Sequence, residues 1–419
     1  MQRRRFLQAL LLSGSLALAG CGSSTTTTSN GPVTLTFPND KGSWETWINS
    51  IGKYELDHYK VGFKSQTYTD TTVYQSVIRS AAQTSKAPAL FTWWSGYQMK
   101  ELVDAGALAD LTTQMEDWIK NRGVSPDVAK AFQFDGRYYG APFNVAYWII
   151  FYNKHVFDQY NLQPPKTWDE FMELNATLKG HGVTPLSIYS QDSWMGFIWF
   201  ENLLINMDPQ LYENLMIGKA SYTDPGVVKV MQTWKSIADK GYFSAPLNGA
   251  NPPTEFAKGT IAMNLMGQWA EASLSSLNMK PGVDYDAFVM PVITPGLSPQ
   301  VIFETGPIVV GAHSSQAQDG IRALDAFMQA DVQKEWVNQT SFVSAETTVP
   351  ANNDLNVRIN QQIVTDKITL HNRFWEATPS DIATQVAADL VEFILHPDSY
   401  MQVLEKCQGV AQKYWDANK

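Results

Sequence analysis

Cysteine is nearly absent from this chain: Cys21 and Cys407 are the two in 419 residues. If Cys21 is used elsewhere, no intramolecular disulfide is possible, and the fold must rest on apolar cores, which a chain this long can build. Histidine is scarce too. His58, His155, His181, His313, His371 and His396 are scattered without metal-ligand spacing, so no metal and no cofactor are expected. The chain contains no phosphate-binding Walker sequence, no dinucleotide glycine fingerprint, no His-Glu-x-x-His and no Gly-x-Ser-x-Gly. Charged residues make up 17% of the chain, and their balance is acidic, −10 overall. That balance disfavours nucleic acid and anionic lipid as partners and is neutral toward an uncharged ligand.

The N-terminus carries targeting information. Arg3, Arg4 and Arg5 precede an apolar run, Phe6 to Leu18, that is too short to span a bilayer. Leu18-Ala19-Gly20-Cys21 then resembles the lipobox of bacterial lipoproteins, which implies a signal peptide over 1–20 and acylation of Cys21. A Gly/Ser/Thr-rich tether occupies 21–31. Several acyl chains on Cys21 would anchor the protein outside the cytoplasm, its one expected contact with membrane. Arg3-Arg4-Arg5-Phe6-Leu7 also looks like a twin-arginine signal, but Gln2 and Gln8 depart from that pattern, so the export route stays open. Removing Arg3, Arg4 and Arg5 leaves 28 basic against 41 acidic residues, a net charge of −13.

Aromatic surface, by contrast, is abundant, with 14 Trp and 17 Tyr available to fill cores or line a site. The length implies at least two domains. Val33–Phe37, Phe63–Tyr68 and Pro88–Trp94 read as strands alternating with helices at Ser43–Tyr59 and Thr72–Ala82. This is an α/β pattern of mostly parallel sheets flanked by helices. The stretch Tyr138–Lys154, YYGAPFNVAYWIIFYNK, follows an Asp135-Gly136 turn and is interrupted by Pro142, which a central strand would not hold. The chain is therefore expected to cross between two lobes here, with Asn144 and Tyr147 beside the cleft and Trp148–Tyr152 in the core of the second lobe. Gly306-Pro307 repeats the break inside Val301–Val310 as the return crossing, and Thr347–Ala351 is a third. The lobes are then 32–143 plus 309–348, and 144–308 plus 349–419.

In such sheets ligands sit beyond the C-terminal ends of strands. That rule, with the crossings, nominates Asp40, Trp44, Trp94, Asn144, Tyr147, Trp194, Gln268, Trp269, Glu304, Arg373 and Trp375. Side chains alternate along a strand, so Trp94 is favoured over Trp93. A sugar ring has an apolar C–H face and a rim of hydroxyls, and a set of aromatic platforms with amide and acid groups suits it. An amine held by paired carboxylates, an amino acid held by an Arg with a carboxylate, and glycoside hydrolysis by a carboxylate pair stay open as alternatives.

The same segments carry a family resemblance. Ala87-Pro88-Ala89, Trp94-Ser95-Gly96, Gly106-Ala107-Leu108-Ala109-Asp110-Leu111, Tyr139-Gly140-Ala141-Pro142 and Phe151-Tyr152-Asn153-Lys154 form its first part. Pro165-Lys166-Thr167-Trp168-Asp169-Glu170-Phe171, Phe256-x-x-Gly259-x-Ile261-Ala262-Met263 and Gly267-x-Trp269 complete it. Together they resemble the carbohydrate-binding solute-binding proteins of bacterial ABC importers, related to maltose-binding protein. The resemblance implies the two-lobe periplasmic-binding-protein fold (type II) with about three hinge crossings. It also implies a carbohydrate ligand in the cleft, a permease with its cytoplasmic ATPase as partners, and no catalysis. A monomer is expected.

Overall fold

The computed structural model describes residues 31–245, 252–340 and 342–418 of the chain. The expected signal peptide, Cys21 and all but the last residue of the expected tether lie outside the described residues. The first strands, β1 (Val33–Asn39) and β2 (Val61–Thr67), pair in parallel, as the alternating pattern predicts. The helix Glu45–Tyr59 connects them and lies backbone to backbone on β2. A Cβ on Gly52 would meet the Phe63 carbonyl oxygen at 1.9 Å, and one on Gly62 would meet the Gly52 carbonyl oxygen at 2.0 Å.

The expected strand Pro88–Trp94 contracts to β3 (Phe91–Thr92). A hairpin of β4 (Gln133–Phe134) and β5 (Arg137–Tyr138) turns at Asp135 and Gly136, with φ of 49° and 78°, as the Asp-Gly pair predicts. The chain then passes through β6 (Ala141–Pro142) into β7 (Ala146–Asn153), and these two strands belong to different sheets. The remaining strands are β8 (Thr184–Leu186), β9 (Ile261–Gly267), β10 (Tyr285–Phe288), β11 (Gln300–Glu304), β12 (Pro307–Val309) and β13 (Thr369–Asn372).

Among the described residues, one sheet runs β3-β12-β6 and a larger one runs β13-β11-β7-β9-β8, with β10 also on β7. Pro142 and Pro307 face each other in the smaller sheet, so both proline breaks fall where the chain changes sheets. The third passage pairs Val343 with Val145 and Glu346 with Val124, beginning ahead of the Thr347 expected from sequence.

One expectation needs correction. The larger sheet is mixed rather than mostly parallel: β7 runs antiparallel to β9, β10 and β11, while β8/β9 and β11/β13 are parallel. The reason is connectivity. β7 arrives from the other sheet through the crossing, without a helical crossover that would return it in parallel. All eight of its residues are buried, so its side chains are packed on both faces. Elsewhere the cores form as the periodicity predicts. The helix Pro225–Asp239 buries Val227, Met231 and Trp234, and Thr167 caps the helix Trp168–Gly180 by accepting from the Glu170 N–H.

The Gly52 contact gives a stability test. Gly52→Ala should lower stability in urea unfolding by about 1–3 kcal/mol, because the added methyl forces the helix off β2. Gly180→Ala, with nothing within 4 Å of the new Cβ, should not lower it.

Candidate functional site

The loop after β1 and the strand ends of the larger sheet come near each other, Lys41 being close enough to act electrostatically on Glu304, and they define the candidate cleft. At the end of β1, the Asn39 amide donates to the Phe37 carbonyl and the Ser65 hydroxyl, each at 2.9 Å, and its oxygen accepts from the Lys41 N–H at 2.9 Å. This fully buried side chain fixes the loop that carries Asp40 and Lys41. The Lys41 ammonium pairs with Asp40 Oδ1 at 2.9 Å and stands 5.4 Å from the Trp94 ring and 5.8 Å from the Trp44 ring. A cation between two aromatic faces is held electrostatically as well as by its carboxylate. Trp94 is half-buried beside Tyr74, whereas Trp93 turns inward and donates its indole N–H to the Gln98 carbonyl at 2.9 Å. Trp44 leans on Phe342, at 4.6 Å between centroids, so much of it serves the packing of its own lobe.

From the larger sheet, β9 ends at Gly267, where a Cβ would lie 2.4 Å from the indole nitrogen of Trp269. Glycine there allows the indole to fold back across the strand end, close enough to the Glu304 carboxylate at the end of β11 to help lower its pKa. Trp269 lies 6.0 Å from Trp194 and 6.1 Å from Trp148, and Trp148 lies 6.5 Å from Trp194, all at steep angles. The three rings form a corner with Trp148 buried behind it. Beyond β13, Arg373 pairs with Glu304 and grips Glu376 through two nitrogens, one of these bonds at 2.9 Å. Trp375 is half-buried, 6.0 Å from Phe197.

The charges in this cleft are mutually committed. Burial raises the Glu304 pKa above its ordinary value, opposed by Arg373 and, from the other lobe, by Lys41. Glu201, on the helix Phe197–Met207, is fully buried and accepts the Phe374 N–H at 2.7 Å. Desolvation pushes its pKa well up, only partly offset by that bond and by Arg373. Among the described residues, no cluster of potential metal ligands is present.

Three sequence candidates are buried and committed to the fold's own contacts. Asn144 fastens the first two crossings together: its Oδ1 accepts from the Gly306 N–H and its carbonyl from the Thr305 hydroxyl. Tyr147 points to the opposite face of β7 from Trp148 and borders a groove of about 1020 Å³ with Phe303 and Val343. Burial lifts the pKa of its hydroxyl to about 12. Gln268 is fully buried, accepting from the Tyr147 N–H at 2.9 Å and donating to Asn356 at 2.6 Å.

Lys41 and Glu376 belong to this arrangement and were not among the sequence candidates, whereas Trp148 is fully buried, as its expected place in the core predicts. For Glu376 no sequence signal existed, because its role arises from the single helical turn after β13.

The protein belongs to the bacterial extracellular solute-binding proteins, whose family model matches residues 49–360. An ABC transporter extracellular-binding protein of Pyrococcus horikoshii is 28% identical over 316 residues, covering 69% of this chain and 70% of that protein. A glucose-binding protein of Saccharolobus solfataricus is 25% identical over 288 residues, 61% of this chain and 51% of that one. In structure, the solute receptor AcbH, described as preferring β-D-galactopyranose, matches with a TM-score of 0.79 at 22% identity, over 92% of this chain and all of the receptor. A chitin oligosaccharide binding protein matches at 0.78 and 19% identity, with the same coverage. The fold is therefore the two-lobe periplasmic-binding-protein type. No helix among the described residues is long and apolar enough to cross a membrane.

Beside the cleft, Glu271 accepts from Asn356, Tyr285 and Asn353 at 2.7, 3.1 and 3.1 Å, bracing the start of the helix Asp354–Thr365. Desolvation raises its pKa to about 7, against those hydrogen bonds. A carboxyl group with a raised folded-state pKa stabilises most when protonated, and that advantage fades as pH climbs through the folded value. Relative to Glu271→Gln, the wild-type chain should therefore gain roughly 3 kcal/mol as pH falls from about 8 to about 4, read from urea midpoints across pH.

Proposed function

We propose that this chain is the extracytoplasmic receptor of an ABC importer and captures an uncharged carbohydrate between its lobes. The observation that carries the reading is the pairing of the cleft's cations. Arg373 is saturated by Glu304 and Glu376, and Lys41 by Asp40 and two indole faces, so neither is free for the carboxylate of an amino acid or an acidic sugar. Glu304 likewise has its charge answered, which speaks against a cationic amine. What faces the cleft is aromatic surface from Trp94, Trp194, Trp269 and Trp375, with carboxylate oxygens and an ammonium as fixed hydrogen-bonding groups. That mixture suits a pyranose, whose C–H face stacks and whose hydroxyls both donate and accept. The relatives named for sugars support it, and the family is one of solute-binding proteins, not enzymes.

On this reading the lobes are 32–143 plus 309–348 and 144–308 plus 349–419, and they close about the crossings on the sugar. Cys21 carries the lipid anchor, residues 1–20 are removed, and a monomer delivers its cargo to a permease driven by a cytoplasmic ATPase. A hydroxyl bonded by Glu304 would confer specificity, since an analogue lacking it leaves a buried acceptor unpaired.

Thermal-shift screening against neutral mono- and oligosaccharides, uronic acids, amino acids and polyamines tests the ligand class. Stabilisation by a neutral sugar is expected; stabilisation confined to charged solutes would overturn it. With the responding sugar, Trp269→Ala should weaken calorimetric affinity by roughly ten- to a hundredfold, the loss of one buried aromatic anchor. The ligand-free melting temperature should change little.

A further inference from the structure

On one flank of the cleft the two lobes touch directly. The helix Gly96–Asp104 leaves β3 on the first lobe, and the helix Phe374–Ala377 follows β13 on the second. Gly96, at φ 62°, lies against the backbone of Glu376 so closely that a Cβ would meet its carbonyl oxygen at 1.9 Å. Next to this contact the Ser380 hydroxyl donates to Glu101 Oε1 at 3.0 Å, and Tyr97 meets Trp415 with ring centroids 6.4 Å apart. The contact is short in sequence from the cleft on both sides: Trp94 precedes Gly96, and Trp375 precedes Glu376.

Glu376 has a second role. Its buried carboxylate grips Arg373, Arg373 holds Glu304, and Glu304 lies beside the indole of Trp269. A continuous chain of polar contacts thus runs from the lobe seam to the aromatic corner. We propose that Gly96, Ser380 and Glu376 form a closure seam that seats the lobes, with Glu376 acting as a positioning residue that transmits seating to the Trp269 platform. This inference rests on the sugar-binding reading. Seating the first lobe on the Glu376 backbone fixes the segment that carries its carboxylate, and therefore the orientation of Arg373 and Glu304. Glycine at position 96 is required twice, by the positive φ and by the approach to a carbonyl oxygen. Binding energy is then spent on a state that the seam has already made favourable, and weakening the seam lowers apparent affinity through the fraction of closed chains.

The test compares Gly96→Ala, Ser380→Ala and Glu376→Gln with wild type. D-Galactose, D-glucose and a chitin oligosaccharide serve as probes by stopped-flow tryptophan emission, alongside ligand-free melting and small-angle scattering. Ser380→Ala should weaken binding by about threefold and Gly96→Ala by about tenfold or more, chiefly through faster release. Gly96→Ala should also enlarge the radius of gyration. Glu376→Gln should weaken binding while leaving that radius at the wild-type value. Wild-type release rates in both seam variants would overturn the proposal, as would affinity losses that merely track ligand-free melting. If wild type binds none of the probes, the sugar reading fails for them. The seam then stands or falls by scattering, where an unchanged radius in Gly96→Ala refutes it.

Discussion

The cleft depends on one guanidinium. Arg373 is largely buried where β11 and β13 end, and it organises Glu304 and Glu376 around itself while Glu201 lies behind, its pKa pushed well up by desolvation. Removing one partner from a buried ion pair costs about 3–5 kcal/mol, far more than any surface pair in this chain contributes. The three acids are thus held in one arrangement. Trp269 lies beside Glu304, and Gly267 leaves the space in which that indole lies. Rigid aromatic walls beside fixed polar groups follow from this.

The crossings place that arrangement between two lobes. Pro142 and Pro307 lie opposite each other at the sheet boundary, Pro142 on the edge strand β6 and Pro307 as the first residue of β12, both positions at which a sheet tolerates proline. Asn144 ties the two strands of the crossing together and Trp336 donates to the Phe143 carbonyl at 2.9 Å, so the hinge is braced by side chains from both sides. A cleft on one face of the crossings and a groove on the other, beside Tyr147, are the geometric consequence of β7 spanning the junction with alternating side chains.

Much of the architecture was legible because it is written in local patterns. The alternation of β1, the capping box at Thr167, the Asp135-Gly136 turn and the proline breaks each state a backbone requirement. The direction of β7 was not legible, since antiparallel entry follows from tertiary connectivity. In the candidate site, strand-end logic named Asp40, Trp94, Trp269 and Glu304, because position along a strand is a sequence property. It failed for Gln268 and Tyr147, where adjacent residues point to opposite faces and the register of β7 against β9 decides which. Arg373 was found by type but with its partners unknown. Its pairing with Glu304 joins residues distant in the chain, and its pairing with Glu376 needs a single turn of helix after β13.

The central claim is that an uncharged sugar lies in the tryptophan corner over Glu304. The most direct measurement is a crystal structure of the chain with the sugar selected by screening. The account predicts a pyranose ring stacked on Trp269 or Trp194, with a hydroxyl on Glu304 and Arg373 still paired to both carboxylates. A sugar seated in the groove beside Tyr147, or a ligand carboxylate bound by Arg373 in place of Glu304, would contradict it.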